Sequence, residues 1–345
     1  MPAVTLPVEV PRARKPAPFV VGPTNPTPKR PTKQLPADLI KTARATPKAE
    51  FDAGRHTCFQ APERRYTMEE WGYGGQGISP IAASDPFPLF TPEAVQQARR
   101  EIFSETVLGN CQYGSTFATN MVRGYTREQA PFIHALWKSD EVQKAVSQVA
   151  GIDLVHAFEN EIGHINILVN NEDDKVEEDA NVGFSWHYDS FPFVCVTMLS
   201  DCSNMTGGET AVKKGDGDVL KVRGPTMGTA VILQGRYIQH AALKAFGKER
   251  ISMITPFRPR SVSVVDEMVL TGSRPISDQS RLMYGYTLYR AEVLEERMRQ
   301  YRKKLQERFD AGRRFDVESS KEFHAEQKQF LEATLAEMIP IRDIV

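Results

Sequence analysis

A β-sandwich or barrel braced by helices is the fold class the sequence predicts, and three observations predict it. Between Gly151 and about Arg258 the chain breaks into short runs rich in Val, Ile, Thr and Phe. Clusters of Gly, Asn, Asp or Pro part these runs, as they part strands at turns. Outside that span, apolar residues recur at helical rather than alternating spacing. With 345 residues, 41% of them hydrophobic and 25% charged, the chain can bury one sizeable core.

Residues 1–48 come first, with PRARKPAP and PTPKRPTK rich in proline and basic side chains. Proline fixes φ and removes a donor, so an arm is expected, extended or draped over the body. Residues 49–345 read as a single catalytic domain. The aromatic, glycine-rich text from Phe51 to Pro80 predicts irregular cover over a core. Thr91 then caps a helix with Pro92 at its first position and helical spacing through Val107. TREQAPFIHALWKSDEVQKAVSQVAG predicts more helix, broken near Pro131 and ended by Gly151.

The β-core follows, over about residues 152–260. Its eight runs are LVHAFEN, HINILVN, VGFSWHY, FVCVTML, ETAVKK, DVLKV, TAVILQG and ISMITPF. Two helices are expected over about 286–339, the first leading to Gly312 and the second ended by Pro340. The last residues, IPIRDIV, are more apolar than a frayed tail should be. Ile341, Ile344 and Val345 are expected to fold back, either as core packing or as a lid on a substrate pocket.

Composition excludes several functions. A formal net charge of −1 gives no long-range pull toward nucleic acid or an anionic membrane surface. The longest apolar run, Phe193 to Leu199, is too short to span a bilayer. MPAVTLPVEV does not read as a secretory signal. Cys58, Cys111, Cys195 and Cys202 form neither a CxxC pair nor a disulfide framework. A cytoplasmic protein acting on a small molecule, with neither nucleic acid nor membrane as partner, is the expectation. Its oligomeric state stays open.

The chemistry centres on FSWHYDSF. His187 and Asp189 are two apart at a predicted strand, so both project from one face and can converge on one ion. Alone, the pair could equally be hydrogen-bonded at a strand end. His240 lies 51 residues beyond Asp189, after a strand and a tight turn at Gly235, and a return strand would bring it back to the sheet. Two histidines and a carboxylate on one side of iron leave positions open for a cosubstrate and O2. Arg250 opens the next strand with Ser252 on the same face, a guanidinium fork and a hydroxyl suited to a carboxylate. Gly207-Gly208-Glu209-Thr210 stands between the two histidines, where a sandwich needs a turn.

In this order, HYD, GGET, a distal histidine and Arg-x-Ser resemble the Fe(II)/2-oxoglutarate-dependent dioxygenases, over roughly Leu154 to Arg258. The resemblance implies a double-stranded β-helix, or jelly roll, flanked by helices. It implies His187, Asp189 and His240 as iron ligands, and Arg250 and Ser252 gripping the distal carboxylate of 2-oxoglutarate. Asn166, on one face of HINILVN with His164, Leu168 and Asn170, matches a polar position that several family members turn toward the cosubstrate, or it satisfies a neighbouring backbone group. Arg258 is a lesser rival for the carboxylate, placed beyond the strand end. The implied reaction turns 2-oxoglutarate and O2 into succinate and CO2 while a substrate C–H bond is oxidised. Halogenases of this family lack the carboxylate that Asp189 supplies, which argues against chlorination.

Substrate choice is expected from the aromatic segment around Trp71 to Phe90, from Arg64, Arg65 or Arg123, and from the chain end. The overall layout is similar to fungal small-molecule oxygenases, among them those that close an aziridine ring on an amino acid such as valine. Three rivals remain. A protein-modifying oxygenase would use the basic arm for docking, and a non-catalytic sandwich would only bind a metal. A zinc hydrolase lacks a general base in this sequence.

Overall fold

The computed structural model describes residues 15–25, 27–31, 34–116, 118, 120–168, 182–203, 205–222, 226–243, 245–246 and 249–342. Eight strands build the core: β1 (His164–Leu168), β2 (Val182–His187), β3 (Phe193–Met198), β4 (Thr210–Lys213), β5 (Val219–Val222), β6 (Thr229–Leu233), β7 (His240–Leu243) and β8 (Arg250–Pro259). One sheet has the order β6-β3-β8-β1 and the other β5-β4-β7-β2, with antiparallel pairing throughout. Consecutive strands thus alternate one by one between two facing sheets, except that β4 and β5 pair within the second sheet, which is the double-stranded β-helix. The first sheet is extended at the β6 edge by Ile81–Ser84 and Arg65–Thr67. At the β1 edge Met121–Val122 and Gln112–Tyr113 extend it.

Alternation decides which side chains meet which layer. On β1, Ile165 and Ile167 point into the main core, where each is 0% exposed, while His164 and Asn166 take the other face. On β8, Ile251 and Met253 join that core, and Arg250, Ser252 and Ile254 face the space between the sheets. Each such buried aliphatic side chain stabilises the fold by about 1.5–3 kcal/mol. Helices Pro92–Ile102, Pro131–Lys138 and Asp140–Ala150 supply the opposing apolar surface, through Ile102, Ile133, Trp137 and Val146 among others. The main core therefore lies outside the first sheet, and the space between the sheets holds polar side chains among apolar ones such as Val194, Val196 and Ile254.

Two helix readings need correction. Pro131 begins a helix instead of breaking one, because its missing N–H is unneeded in a first turn. The break falls at Ser139, whose side chain accepts from Val142 N and caps the next helix. Gly151 ends that helix in the left-handed region at φ 68°, as expected. Thr91 does cap Pro92–Ile102, accepting from Ala94 N at 3.3 Å. The helical spacing through Val107 is interrupted at Phe103, and Ser104 caps a new helix, Glu105–Cys111.

The proline-rich stretch also contains a helix, Ala37–Ala45, because the residues between Pro36 and Pro47 are free of proline. Nearer the start, Val20 is buried, Ala17 N donates to Glu267 Oε1 at 3.0 Å, and Arg236 donates to the Pro18 carbonyl. At the other end, Gln279–Asp310 and Val317–Glu337 are the two helices, the first starting seven residues before the expected 286. Gly285 obscures that start in the sequence, yet a Cβ there would lie 2.7 Å from Phe158 Cδ2, so glycine lets the helix seat against the ring. Ile341 is exposed, and Ile344 and Val345 lie outside the described residues. Among the described residues no helix is long and apolar enough to cross a membrane.

Candidate metal centre

β2 and β7 are neighbours in the second sheet, and their register sets His187 directly opposite His240. The two imidazole centroids are 4.4 Å apart. Asp189 follows β2, and its N–H donates to the Gly235 carbonyl at 2.9 Å. That bond turns the carboxylate back between the rings, with Oδ1 3.5 Å from His187 Nε2 and Oδ2 3.5 Å from His240 Nε2. One ligand atom from each of the three residues lies within 4.8 Å of the others.

Several features of this cluster fit a divalent cation. Asp189 Oδ2 is buried and takes no hydrogen bond, an arrangement that costs free energy unless something else satisfies the oxygen. Gly235 presses on it so closely that a Cβ would sit 1.9 Å from Oδ2. His240 Nδ1 lies 3.0 Å from the Ile238 carbonyl, which can only accept. The proton therefore belongs on Nδ1, and the Nε2 lone pair faces the cluster. Burial pushes Asp189 up, but His240 and His187 together outweigh it and hold the carboxylate well below its ordinary range. Burial lowers His240, and Asp189 with the Ile238 carbonyl raises it above the ordinary imidazole value. Two nitrogens and one hard oxygen, all from one side, form a donor set suited to iron with open positions toward the cavity.

A cavity of about 130 Å³ lies between the sheets, lined by this triad and by Arg250, Ser252 and Asn166 from the facing sheet. Arg250 is 3% exposed. Its Nε donates to the Gly208 carbonyl at 2.8 Å and its Nη1 to Ser252 Oγ at 3.1 Å. Gly207 and Gly208 reach the turn that presents that carbonyl at φ 74° and 75°, where other residues are strained. No carboxylate forms an ion pair with Arg250 among the described residues. Burial pushes its guanidinium down to about 10, so it stays a cation at neutral pH. Ser252 stands opposite Asn166 across β8 and β1, and Asn166 Oδ1 is buried without a partner.

All six residues singled out in the sequence, His187, Asp189, His240, Arg250, Ser252 and Asn166, thus meet in one cavity. Arg258 does not. It lies within β8 rather than beyond it, donates to the Ala157 carbonyl at 3.1 Å and stacks over Tyr289. Arg64 pairs with Glu70 and Arg65 donates to the Gln148 carbonyl, both at the surface. Only Arg123 of that trio lines the cavity. The aromatic segment also misses it: Trp71, Phe87 and Phe90 pack into the main core, since a large ring gains most from full burial.

Other wall residues were not anticipated. His164 was legible, being two residues before Asn166 on the same strand face. Ser273 and the arm residue Val21 carried no local signal, because they reach the cavity only through tertiary folding.

Comparison of the sequence with family models and with curated proteins gives no match. Among solved structures, the chain is similar to a 2OG-Fe(II) oxygenase family oxidoreductase from Burkholderia pseudomallei. That likeness has 14% identity, 46% of this chain and 70% of that one covered, and a TM-score of 0.32. It is similar to AviO1 from Streptomyces viridochromogenes Tue57, at 14% identity, 54% and 92% coverage and a TM-score of 0.38. A prolyl 4-hydroxylase from Phytophthora capsici gives 17% identity, 74% and 88% coverage and a TM-score of 0.36. Likenesses this distant carry no functional conclusion. The strand order and the site of this chain define it by themselves: a double-stranded β-helix protein with a His-Asp-His cluster facing a buried arginine.

Proposed function

We propose that this chain is a non-haem Fe(II)/2-oxoglutarate-dependent oxygenase that oxidises an aliphatic C–H bond of a small molecule. One observation carries the reading: a metal-suited triad and a buried arginine, without an ion-pair partner among the described residues, share one cavity from facing sheets. A scaffold or sensor needs no such pairing, whereas a metal that must work beside a dianionic cosubstrate needs both.

In this reading His187, Asp189 and His240 hold the iron. Arg250, steadied by Gly208 and Ser252, binds the far carboxylate of 2-oxoglutarate, with Ser252 adding a hydroxyl bond. Asn166 Oδ1 lies on the same wall and accepts from a bound group or from water. Bound Fe(II) supplies the redox chemistry that couples decarboxylation of 2-oxoglutarate by O2, giving succinate and CO2, to oxidation of the substrate. The protein's share is to bind, to orient and to keep water out. Val194, Val196 and Ile254 give part of the cavity wall an apolar surface that does so. The substrate is an amino acid or a molecule of that size, with valine the first to try. Hydroxylation, desaturation and aziridine closure are the alternative outcomes, which product analysis distinguishes.

The test is anaerobic addition of Fe(II) and 2-oxoglutarate to metal-free protein, following visible absorption beside a His187→Ala variant. A charge-transfer band in the wild type alone supports the reading and leads to succinate assays with candidate substrates. A folded, iron-loaded protein without the band points to a metal-binding sandwich instead.

A further inference from the structure

Arg123 is the third charged group on the cavity wall, and its surroundings differ from those of Arg250. It is 3% exposed, and its Nη2 is held by Glu161, itself 1% exposed, and by Ser273 Oγ at 3.4 Å. Glu161 does not line the cavity, whereas Arg123 and Ser273 do. The carboxylate therefore restrains the guanidinium from behind. Arg123 Nε is buried with no hydrogen-bond partner, a donor left unsatisfied beside the cavity. Beside it, His164 Nδ1 is also buried and unpartnered, and burial, then Arg123, keeps that imidazole neutral.

Register places Arg123 and Arg250 at different ends of the cavity. Arg250 is opposite Leu168 of β1, while Val122, the residue before Arg123, is opposite Ile165. Three to four residues of strand separate these positions, roughly 10–13 Å at the usual rise. An anion held at Arg250 thus leaves Arg123 free for a second one. Near Arg123 the wall is apolar, with Val21, Met121, Phe191 and Ile276.

We propose that Arg123, positioned by Glu161 and flanked by Ser273 and His164, anchors the substrate through a carboxylate, and that the substrate is a small aliphatic carboxylic acid of amino-acid size. The inference rests on the oxygenase reading above for what becomes of the substrate, but the binding itself can be measured apart from turnover. The paired charges of Arg123 and Glu161 keep the wall neutral in the free protein, so a zwitterion or a monoanion enters without displacing the anion at Arg250. The neutral imidazole of His164 can donate to or accept from an α-substituent.

The experiment uses the full chain under nitrogen with Fe(II) and 2-oxoglutarate, and four probes: 3-methylbutanoic acid, L-valine, L-leucine and L-valinamide. Each is titrated by calorimetry and by perturbation of the visible band. The variants are Arg123→Lys and the double Arg123→Gln/Glu161→Gln, which removes both charges with little change of volume and so avoids stranding a buried carboxylate. At least one acid should bind the wild type at least ~30-fold more tightly than the amide, the least expected for a lost buried charge contact. That preference should vanish in the double variant while 2-oxoglutarate affinity stays within about twofold, and Arg123→Lys should fall between. Equal binding of acid and amide, wild-type preference in the folded double variant, or no acid binding despite a normal band would each overturn the proposal. If the band itself fails to form, the oxygenase reading fails, and acid-over-amide preference by calorimetry still decides the role of Arg123.

Discussion

Replacing Gly235 by alanine tests the metal centre without touching a ligand. The Gly235 backbone is not among the left-handed glycines, so an alanine there is strained only by what its Cβ meets. That Cβ would meet Asp189: Oδ2 at 1.9 Å, Cγ at 2.7 Å and Cβ at 3.1 Å. Ordinary contact begins near 3.4 Å, so the carboxylate oxygen must retreat by about 1.5 Å. Metal ligands tolerate misplacements of only about 0.2 Å. Loss of one ligand from three should therefore lower Fe(II) affinity by ~100-fold or more, beyond the range seen for supporting residues. The overpacking should cost about 1–3 kcal/mol of folding stability. Anaerobic calorimetry with Fe(II), or Mn(II) as a stable surrogate, measures the first, and thermal melts of metal-free protein the second. Gly109→Ala is the control: nothing lies within 4 Å of its Cβ, and it sits in the helix Glu105–Cys111. It should be stabilising by about 0.5–1 kcal/mol with unchanged metal binding. Wild-type Fe(II) affinity in Gly235→Ala would refute the assignment of Asp189 as a ligand, because the carboxylate cannot stay where it is.

Further outcomes are expected elsewhere in the molecule. Arg250→Gln removes the buried cation that faces the triad and should weaken 2-oxoglutarate binding by at least ~30-fold while sparing Fe(II) affinity; equal loss of both would mean a folding defect instead. Burial, then Lys138, lowers His156 from 6.5 to about 4. Between those values the unfolded chain binds a proton that the folded chain refuses, so stability is full above about pH 6.5 and falls as pH drops toward about 4. Melts at about pH 7 and about pH 5 should show a smaller acid loss in His156→Asn, and an unchanged loss would clear this histidine of any part in it. Gly285→Ala should destabilise by about 1–2 kcal/mol despite the gain in helix propensity, since its Cβ would lie 2.7 Å from Phe158 Cδ2. Adding Phe158→Leu should recover part of that loss, and no recovery would place the strain elsewhere.

Much of the site could be read in the sequence because its signals are local. Arg250 and Ser252 are two apart on one strand face, where a strand's period of two places them together, and His187 and Asp189 stand two apart at a strand end, where the bond from Asp189 N–H to the Gly235 carbonyl completes the approach. The Gly207-Gly208 turn was legible for a similar reason, since left-handed backbone calls for glycine. The same reasoning erred where a local rule has two readings. Pro131 can break a helix or open one. Only the neighbours choose.

What the tertiary structure alone decided is which distant residues share the cavity. Arg64, Arg65 and Arg123 look alike in the sequence, yet only Arg123 sits in a strand-edge segment whose register with β1 carries it to the cavity wall. The aromatic segment went to the core, and Val21 from the arm came to the cavity. Strand alternation sets the face a residue takes within its own element. Which elements face each other depends on how two sheets close over one space, and that comes from burial summed over the whole chain rather than from any window of it.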